Sequence, residues 1–541
     1  MARTRRAHLH PVEKPKRRSI GLSTLIVMGA TLASTLLGFG REVVSAAYYG
    51  TQWEMDTFLA AATIPTIIFG LFNGALVSAL VPAFSEYLAL KREDDAWRLA
   101  STVINGLFII LSVGALLGWL LAPYYVPLIA HGFPGPQLAV AVRMTRFLIP
   151  TIVATSLAGV VAALLNSYGR FGAAALQGVA INLVTIVTVV LLNRKVGIYA
   201  LVFGTMFGLY AQLFIQLPAL IGMGRYRFIL DLRHPGLRRI WTLLGPVVVG
   251  SAAGQVAMFF DRFFASTLSP GYMAGMNYAL KLVGFPQQIF AAAIATVIFP
   301  LLASHFATEN RAGVRRTVVM GLRIVTFITV PALCGLVVLR RPIIEALFQR
   351  GAFQTSATDL CASLLPYAAL GLIALAANVV LSRCCFACNE AKATVLISVA
   401  TVVLNIVFSV WWLPTLGARG LLLANSVSQS LQAVALFVLV WRFLNGFDWK
   451  TLLRSAAGTA LASLAMVAAL LWIESWIVQP APSLSSRLSY LVGQLAIGVL
   501  VYVAVARLLG LEELSMAMNF IVEKFRTQQL SPPENRSVPI A

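Results

Sequence analysis

The chain has 541 residues, of which 59% are hydrophobic and only 11% are charged, whereas about 25% of a typical soluble domain is charged. This composition excludes a set of ordinary soluble domains and predicts a polytopic membrane protein, because a membrane-spanning helix needs about 20 mostly apolar residues. The 41 basic and 20 acidic residues give a formal charge of +21, which in a soluble protein would suggest a nucleic-acid partner.

Apolar segments follow one another along the whole chain. They are continuous and about twice as long as the ten-residue strands of a membrane β-barrel, so they predict helices. The expected fold class is an all-α polytopic membrane protein with about 14 transmembrane helices. In chain order the segments are 20–49, 56–85, 99–122, 137–166, 171–193, 197–222, 240–268, 273–304, 316–339, 360–382, 391–413, 419–444, 453–477 and 487–508.

The distribution of basic residues predicts the orientation of these segments. With the N-terminus inside, 28 of the 41 basic residues lie in inner segments, eight lie in outer ones, and five lie within apolar segments. Basic residues gather in cytoplasmic loops, so both termini are expected in the cytoplasm. The excess of positive charge is then explained by the orientation of the segments in the membrane, and no nucleic-acid partner is expected.

An internal repeat predicts two halves of the chain. Its matches are displaced by 221 and 216 residues, which corresponds to six segments and therefore preserves orientation. We expect two parallel six-helix halves around a central cavity, an arrangement that transporters use. The first match pairs Met55, Pro65 and Phe69 with Met276, Pro286 and Phe290, and the second pairs residues 150–165 with 366–381.

Segments 13 and 14 lie outside the repeat. The predicted boundaries give each half its six segments and leave these two as an addition at the C-terminal end. The regions are a basic cytoplasmic tail (1–19), the N-terminal half (20–222), a cytoplasmic linker (223–239), the C-terminal half (240–444), two additional helices (445–510) and a cytoplasmic tail (511–541).

No group of residues predicts catalysis, a metal site or a bound cofactor. The five histidines lie in the tail, in loops or at segment ends, and no phosphate-binding loop or nucleophile motif occurs. Cys385 and Cys388 have a zinc-like spacing but no second ligand pair nearby, so small, reduced cysteines are the better interpretation. A transporter without a cofactor is therefore expected rather than an enzyme.

Charged residues within the apolar segments are the candidates for function. A charge at membrane depth costs about 2.5–3.5 kcal/mol on insertion scales, so it usually faces a cavity or a partner. Arg41, Arg262 and Lys281 are predicted to line a cationic cavity that binds an anionic substrate. The alternative is structural pairing, with Asp261 against Arg262 and Asp56 against a neighbouring cation. Three arginines nearer segment ends are expected to reach the membrane interface: Arg143, Arg146 and Arg323.

Several motifs, in their order and spacing, resemble one family of membrane proteins. They cover about residues 20–510 and comprise Leu36–Glu42, Met55–Phe58 with Pro65, Leu165–Phe171, Asp261 with Arg262, Asn277–Ala279 with Pro286, and Leu347–Phe353 with Asp359. Together they resemble the MurJ/MviN lipid II flippases of the multidrug/oligosaccharidyl-lipid/polysaccharide exporter superfamily. The resemblance implies a multi-pass protein of the bacterial inner membrane. Such a protein moves a lipid-linked peptidoglycan precursor from the inner to the outer leaflet by alternating access.

The resemblance also implies roles for particular residues. Arg41 matches a substrate-cavity arginine, Asp56 matches an aspartate near the outer gate, and Lys281 stands where the family usually has arginine. The two additional helices would form a groove for a polyprenyl tail. The implied partners are a polyprenyl-pyrophosphate-linked glycan resembling lipid II and the membrane lipids, with the coupling ion unspecified. The chain departs from the family pattern at Thr35 and at Phe69–Gly70, where the family carries arginines.

Three other functions remain open at this point. A related polysaccharide-lipid or multidrug exporter would share the fold and the cavity. A non-transporting membrane scaffold would keep the fold with a less charged cavity. A polyprenyl-linked glycosyltransferase would need an acidic catalytic pair in a large outer loop, and the predicted outer loops are short.

The charge distribution generates a prediction about topology. A single cysteine at position 231, in a cysteine-free background, should react with a membrane-impermeant thiol reagent only after the cells are opened, because the linker is expected inside. Reaction from outside intact cells would reverse the orientation.

Overall fold

The computed structural model describes residues 17–388, 390–444, 446–476 and 483–516, and these residues form helices and connecting turns without a β-strand. The helices of the first half are α1 (Arg17–Tyr49), α2 (Trp53–Ala61), α3 (Thr63–Ala89), α4 (Glu93–Ile129), α5 (Gly135–Leu148), α6 (Thr151–Ser167), α7 (Phe171–Ala175), α8 (Gln177–Val196) and α9 (Tyr199–Phe214). Those that follow are α10 (Pro235–Ser266), α11 (Tyr272–Ala307), α12 (Arg311–Val338), α13 (Arg340–Leu347), α14 (Thr355–Ala369), α15 (Leu372–Ala387), α16 (Ala391–Leu416), α17 (Ala418–Phe443), α18 (Trp449–Trp476) and α19 (Leu484–Leu508).

These helices have the length and composition of membrane spans. Within the described residues, eleven helices are long and apolar enough to cross a bilayer, and the bent α10, with 51° between its parts, would be a twelfth. Large apolar side chains such as those of Leu396 and Trp411 are exposed on helix surfaces, where lipid would cover them. The predicted all-helical membrane fold is confirmed, and the number of fourteen spans stays a prediction.

The predicted terminal tails lie largely outside the described residues. Of the basic tail at 1–19, only the last three residues are described, and they belong to α1. The C-terminal tail at 511–541 is described as far as residue 516. Helix α10 begins at Pro235, within the range 223–239 that is predicted for the linker.

The two halves repeat one pattern of helix packing. In the first half α3 packs on α6, α1 on α8, and α8 on α9; in the second, α11 packs on α14 and α15, α10 on α16, and α16 on α17. The last hairpin of each half turns at a glycine with positive φ, 57° at Gly197 and 56° at Gly417. A side chain would strain this conformation. Packing and turns therefore support the parallel repeat.

The C-terminal pair of helices is attached to the second half. Helix α18 packs on α12, and α19 packs on α18 and α13. Beyond α19, Glu513 accepts a hydrogen bond from Nε of Arg323 at 2.6 Å, and Glu512 pairs with the same arginine at 3.1 Å. The side chain of Arg323 is only 12% exposed, and its expected position at the membrane interface stays a prediction. Burial alone would raise the pKa of Glu513, but the hydrogen bonds to its carboxylate, that from Arg323 foremost, and the charge of Arg323 together leave this pKa below its ordinary value.

The linker between the halves is bound to α4. Two backbone N–H groups of the linker donate to hydroxyl groups of that helix, Arg227 N to Ser101 Oγ at 3.1 Å and Asp231 N to Thr102 Oγ1 at 3.2 Å. In the other direction, Nδ2 of Asn105 donates to the Ile229 carbonyl at 2.9 Å. Immediately before α10, the buried His234 accepts a hydrogen bond at Nδ1 from Gly236 N at 3.1 Å. This bond caps α10, and it requires an unprotonated Nδ1. Burial lowers the pKa of His234 and so favours that form.

The cap predicts a stability change at position 234. His234→Ala should lose about 1 kcal/mol, whereas His234→Asn, which retains an acceptor, should lose less. As the pH falls below about 6.5, the unfolded chain binds a proton at His234 before the folded chain does, so the histidine's contribution declines. Thermal unfolding in detergent at several pH values measures both effects. A His234→Asn variant with the parental pH dependence would contradict the assignment.

Candidate functional site

A cavity of about 440 Å³ lies between the two halves and contains all three predicted cations. Helices α1, α2, α3, α8 and α9 line it from the first half, with the α5–α6 junction, and α10 and α11 line it from the second. Apolar side chains form much of the wall. The polar and charged lining residues are Arg41, Glu42, Ser45, Thr66, Thr151, Thr155, Thr205, Arg262, Asn277 and Lys281.

The cations of the cavity are only partly compensated. Glu42 Oε1 lies 2.9 Å from Arg41 Nη2 and 3.5 Å from Lys281 Nζ. Arg262 Nη2 donates to Asn277 Oδ1 at 3.3 Å. Three cations therefore face one lining carboxylate, which leaves the lining with a formal charge of +2. Such a wall can bind an anion, and arginines are suited to phosphate.

The cations lie close to one end of the bundle. Arg41 is eight residues before the end of α1, Arg262 is four before the end of α10, and Lys281 is nine after the start of α11. At 1.5 Å per residue these positions are about 6–14 Å from the helix ends. Asn277 lies one turn before Lys281, so both side chains project from one face of α11.

Asp56 connects the two halves at this end. It lies on the short helix α2, is 3% exposed, and does not line the cavity. Its Oδ2 accepts a hydrogen bond from Gly271 N at 2.5 Å, and its Oδ1 accepts one from Ala274 N at 2.7 Å. Both donors belong to the first turn of α11, whose N-terminus carries partial positive charge. A carboxylate of one half is thereby bound to a helix of the other.

Close backbone contacts complete the closure. Gly271 has φ 91°, and a Cβ there would lie 2.2 Å from the Thr51 carbonyl oxygen, so only glycine fits. Ala352 N donates to the Ala47 carbonyl at 2.7 Å. Tyr278 hydroxyl donates to the Gly50 carbonyl at 3.3 Å. Because α1 and α2 here meet α11 and the loop before α14, the two halves are in direct contact.

The structural pairing considered above as an alternative does not take the form of direct ion pairs, although Asp261 and Asp56 are charged neighbours of Arg262. Among the described residues, Asp261 forms no ion pair with Arg262 within 4 Å, and Arg262 bonds to Asn277 instead. Asp56 binds backbone N–H groups and not the side chain of a cation.

Arg146 lies over the ring of Trp119, at 4.7 Å from the ring centroid, and its Nε donates to the Trp119 carbonyl at 3.2 Å.

Sequence reasoning missed several lining residues. Glu42 was identified only as the last residue of the Leu36–Glu42 motif, and its position between Arg41 and Lys281 requires the three-dimensional structure. Asn277 could have been found by its spacing of four from Lys281. The threonines of α6 carry no signal that separates them from other polar residues in spans.

The departures at Thr35 and Phe69–Gly70 have structural consequences. Thr35 Oγ1 donates to the Thr31 carbonyl of its own helix at 2.9 Å. Phe69 lines the cavity with an apolar ring. A Cβ on Gly70 would lie 2.5 Å from Nε2 of Gln255, so at this position α3 contacts the Gln255 side chain of α10. These positions supply apolar surface or contact between the halves in place of charge.

Comparison with protein families and known sequences gives one consistent result. The model of the family described as lipid II flippase MurJ matches residues 45–493. The probable lipid II flippase MurJ of Vibrio cholerae is 31% identical over 507 residues, which covers 90% of this chain and 96% of the relative. The probable lipid II flippase MurJ of Rhizobium meliloti is 30% identical over 91% of this chain and 94% of its own length.

Solved structures share the fold. A lipid II flippase MurJ in an inward closed conformation superposes with a TM-score of 0.76 at 23% identity, covering 90% of this chain and 98% of that one. A multidrug resistance transporter of the MATE family in an inward-facing conformation gives a TM-score of 0.65 at 15% identity, covering 78% and 98%. At these identities the likeness shows the fold alone.

The closed end generates a prediction about Asp56. Asp56→Ala leaves two buried N–H groups without their acceptor, which costs about 1–3 kcal/mol and should favour opening of this end by roughly 5- to 150-fold. A cysteine at the buried, cavity-lining Ser45 reports opening through its reaction rate with an impermeant thiol reagent in a cysteine-free background.

Asp359→Ala is the matched control, because Asp359 is an exposed carboxylate that pairs with Arg341. It should leave the labelling rate unchanged. Equal rates in the parental and Asp56→Ala proteins would show that this carboxylate does not hold the end closed.

Proposed function

The chain belongs to the lipid II flippase MurJ family, and from this membership we propose that it moves a lipid-linked peptidoglycan precursor from the inner to the outer leaflet by alternating access. Arg41, Arg262 and Lys281 bind the pyrophosphate in the central cavity, and Asp56 acts in the gate. The observation that supports this role best is the cavity itself, which collects three cations against one carboxylate.

The charge of the cavity suits the proposed substrate. A pyrophosphate carries about two negative charges, which would be costly to desolvate without fixed positive charge nearby. The lining supplies a formal charge of +2, so the bound complex is close to neutral. The threonines and Asn277 add hydrogen-bonding groups for the head group. A neutral or cationic drug would gain no electrostatic attraction from the positive charge of this lining.

The closed end defines one state of the proposed cycle. Before substrate can leave towards the outer leaflet, the bonds of Asp56 to the first turn of α11 must break and the loop around Ala352 must separate from α1. A ligand shifts such an equilibrium only by its different affinity for the two states. The cations lie about 6–14 Å from the closed end. Movement of one half relative to the other would change the distances from Arg41 to Arg262 and Lys281.

The membership and the apolar helices make this a multi-pass inner-membrane protein. We place both termini and the linker on the cytoplasmic side, so the end closed by Asp56 is the outer end. The helices α18 and α19 would hold the polyprenyl tail. Their lipid-facing surfaces carry exposed apolar side chains that such a tail could cover: Leu461, Leu464, Trp472, Val492, Val499 and Leu500.

Substitution of the cavity cations tests this proposal. Arg41→Ala and Arg262→Ala should each abolish lipid II flipping in proteoliposomes, which means a loss of at least about 30-fold, because each removes a charge that pairs with phosphate in a largely desolvated site. Lys281→Arg should retain activity, since the charge is kept. Expression, insertion and thermal stability should be unchanged.

Arg194→Ala is the control, because Arg194 is exposed and lies outside the cavity. It should flip lipid II at the parental rate. If Arg41→Ala and Arg262→Ala also flip at the parental rate, the cationic-cavity mechanism is wrong. A loss of activity that follows a loss of thermal stability would instead assign these arginines a structural role.

A further inference from the structure

A second polar pocket lies at the same end of the bundle as Asp56, outside the central cavity. Its volume is about 570 Å³. It lies between the loop that follows α13, the start of α14 and the first turn of α19. The lining residues that matter here are Gln349, Arg350, Thr355, Ser356 and Arg487.

Two arginines give this pocket its charge, and no carboxylate lines it. Arg487 Nη1 donates to the Gln349 carbonyl at 3.2 Å. Arg350 Nη2 donates to the carbonyls of Ala346 and Leu347 at 3.0 and 2.6 Å. These bonds fix both guanidinium groups without neutralising them. By contrast, the nearby Arg341 pairs with both Glu345 and Asp359.

The pocket also contains polar atoms without a partner. Among the described residues, Nε of Arg350 and Oε1 of Gln349 are buried and form no hydrogen bond. Buried polar groups in proteins are almost always hydrogen-bonded, so each exception asks for an explanation. Nε of Arg350 is a donor without an acceptor, which an anion would supply, whereas Oε1 of Gln349 is an acceptor and needs a donor instead.

The loop that carries Arg350 is also part of the closed end. Gly351 has φ 58°, and a Cβ there would lie 2.2 Å from the Ala47 carbonyl oxygen. The next residue, Ala352, donates to that same carbonyl at 2.7 Å. A ligand bound to Arg350 would therefore be connected through two residues to the contact between this loop and α1.

The position of Arg487 indicates which anion can reach the pocket. It lies in the first turn of α19, a helix with exposed apolar side chains along its length. A phosphate bound here would be at the membrane interface, with its apolar chain beside α19. The ligand class is therefore a lipid phosphate. A guanidinium group binds phosphate in bidentate geometry, through two parallel N–H···O hydrogen bonds.

We propose that this pocket binds the pyrophosphate of the polyprenyl-linked glycan after it has left the central cavity, as a release site at the outer leaflet. The proposal rests on the proposed function, because it takes the transported lipid as the ligand. Lipid phosphate bound at Arg350 and Arg487 competes with the Gln349 carbonyl for Nη1 of Arg487, and this bond ties the loop to α19.

A photo-crosslinking amino acid at Ser356, an exposed lining residue, tests the site in the full-length protein. Proteoliposomes contain labelled lipid II in one arm and labelled phosphatidylglycerol in the other. The parental chain should crosslink lipid II, and Arg487→Gln and Arg350→Gln should each reduce the yield by about tenfold. Arg419→Gln, at an exposed arginine predicted on the same side and outside the pocket, should not change it.

The two lipid arms and a parallel flipping assay separate the outcomes. Crosslinks to phosphatidylglycerol alone would overturn the release site, and so would no crosslink to either lipid in a chain that flips lipid II. Crosslinks to lipid II that both variants leave unchanged would show that the arginines do not bind it. A parental chain that crosslinks lipid II here without flipping it would contradict the proposed function and leave binding at this pocket standing. Arg487→Gln keeps the test valid if Arg350→Gln fails to fold.

Discussion

A carboxylate in one half of the chain accepts hydrogen bonds from the first turn of a helix in the other half, and the rest of the structure depends on this contact. Burial of Asp56 would be unfavourable alone, but Gly271 and Ala274 satisfy both of its oxygens and the helix N-terminus stabilises its charge. The contact is possible only because glycine at 271 lets α11 begin against the backbone of Thr51. The cavity with its three cations lies next to this contact, and the side chains of Arg41 and Lys281 in it are 27% and 47% exposed.

The sequence predicts the cavity cations well because charge in an apolar segment has few stable places. Arg41, Arg262 and Lys281 were expected in one cavity, and they lie in one. The partner of Asp56 could not be predicted, since backbone N–H groups occur at every residue and only the fold shows which are free. The repeat was visible in spacing, whereas the division of the second span into α2 and α3 was not, although it places Asp56 on a short separate helix. Roles in binding and gating remain predictions.

The repeat explains why arginines from both halves reach the cavity. Arg41 and Arg262 are 221 residues apart, which is the offset that pairs Met55 with Met276. Each half therefore contributes its equivalent arginine near the end of its first span. The same offset relates Asp56 to Asn277, and these have diverged: Asp56 accepts hydrogen bonds from the start of α11, while Asn277 accepts one from Arg262. Two parallel halves thus supply a symmetric pair of cations, and the equivalent positions 56 and 277 have different hydrogen-bond partners.

The asymmetric charges are the ones that can couple binding to movement. At the repeat offset, Lys281 corresponds to Ala60 and Glu42 corresponds to Phe263, so neither charge has a charged counterpart. Glu42 belongs to the first half and Lys281 to the second, and they lie 3.5 Å apart while the end is closed. Any relative movement of the halves changes this distance, and with it the share of the Lys281 charge that is neutralised. Since a ligand shifts an equilibrium only through different affinities for its states, an anion that competes with Glu42 for Lys281 favours separation of the two halves. A site built from the symmetric arginines alone would lack such a charge pair across the interface.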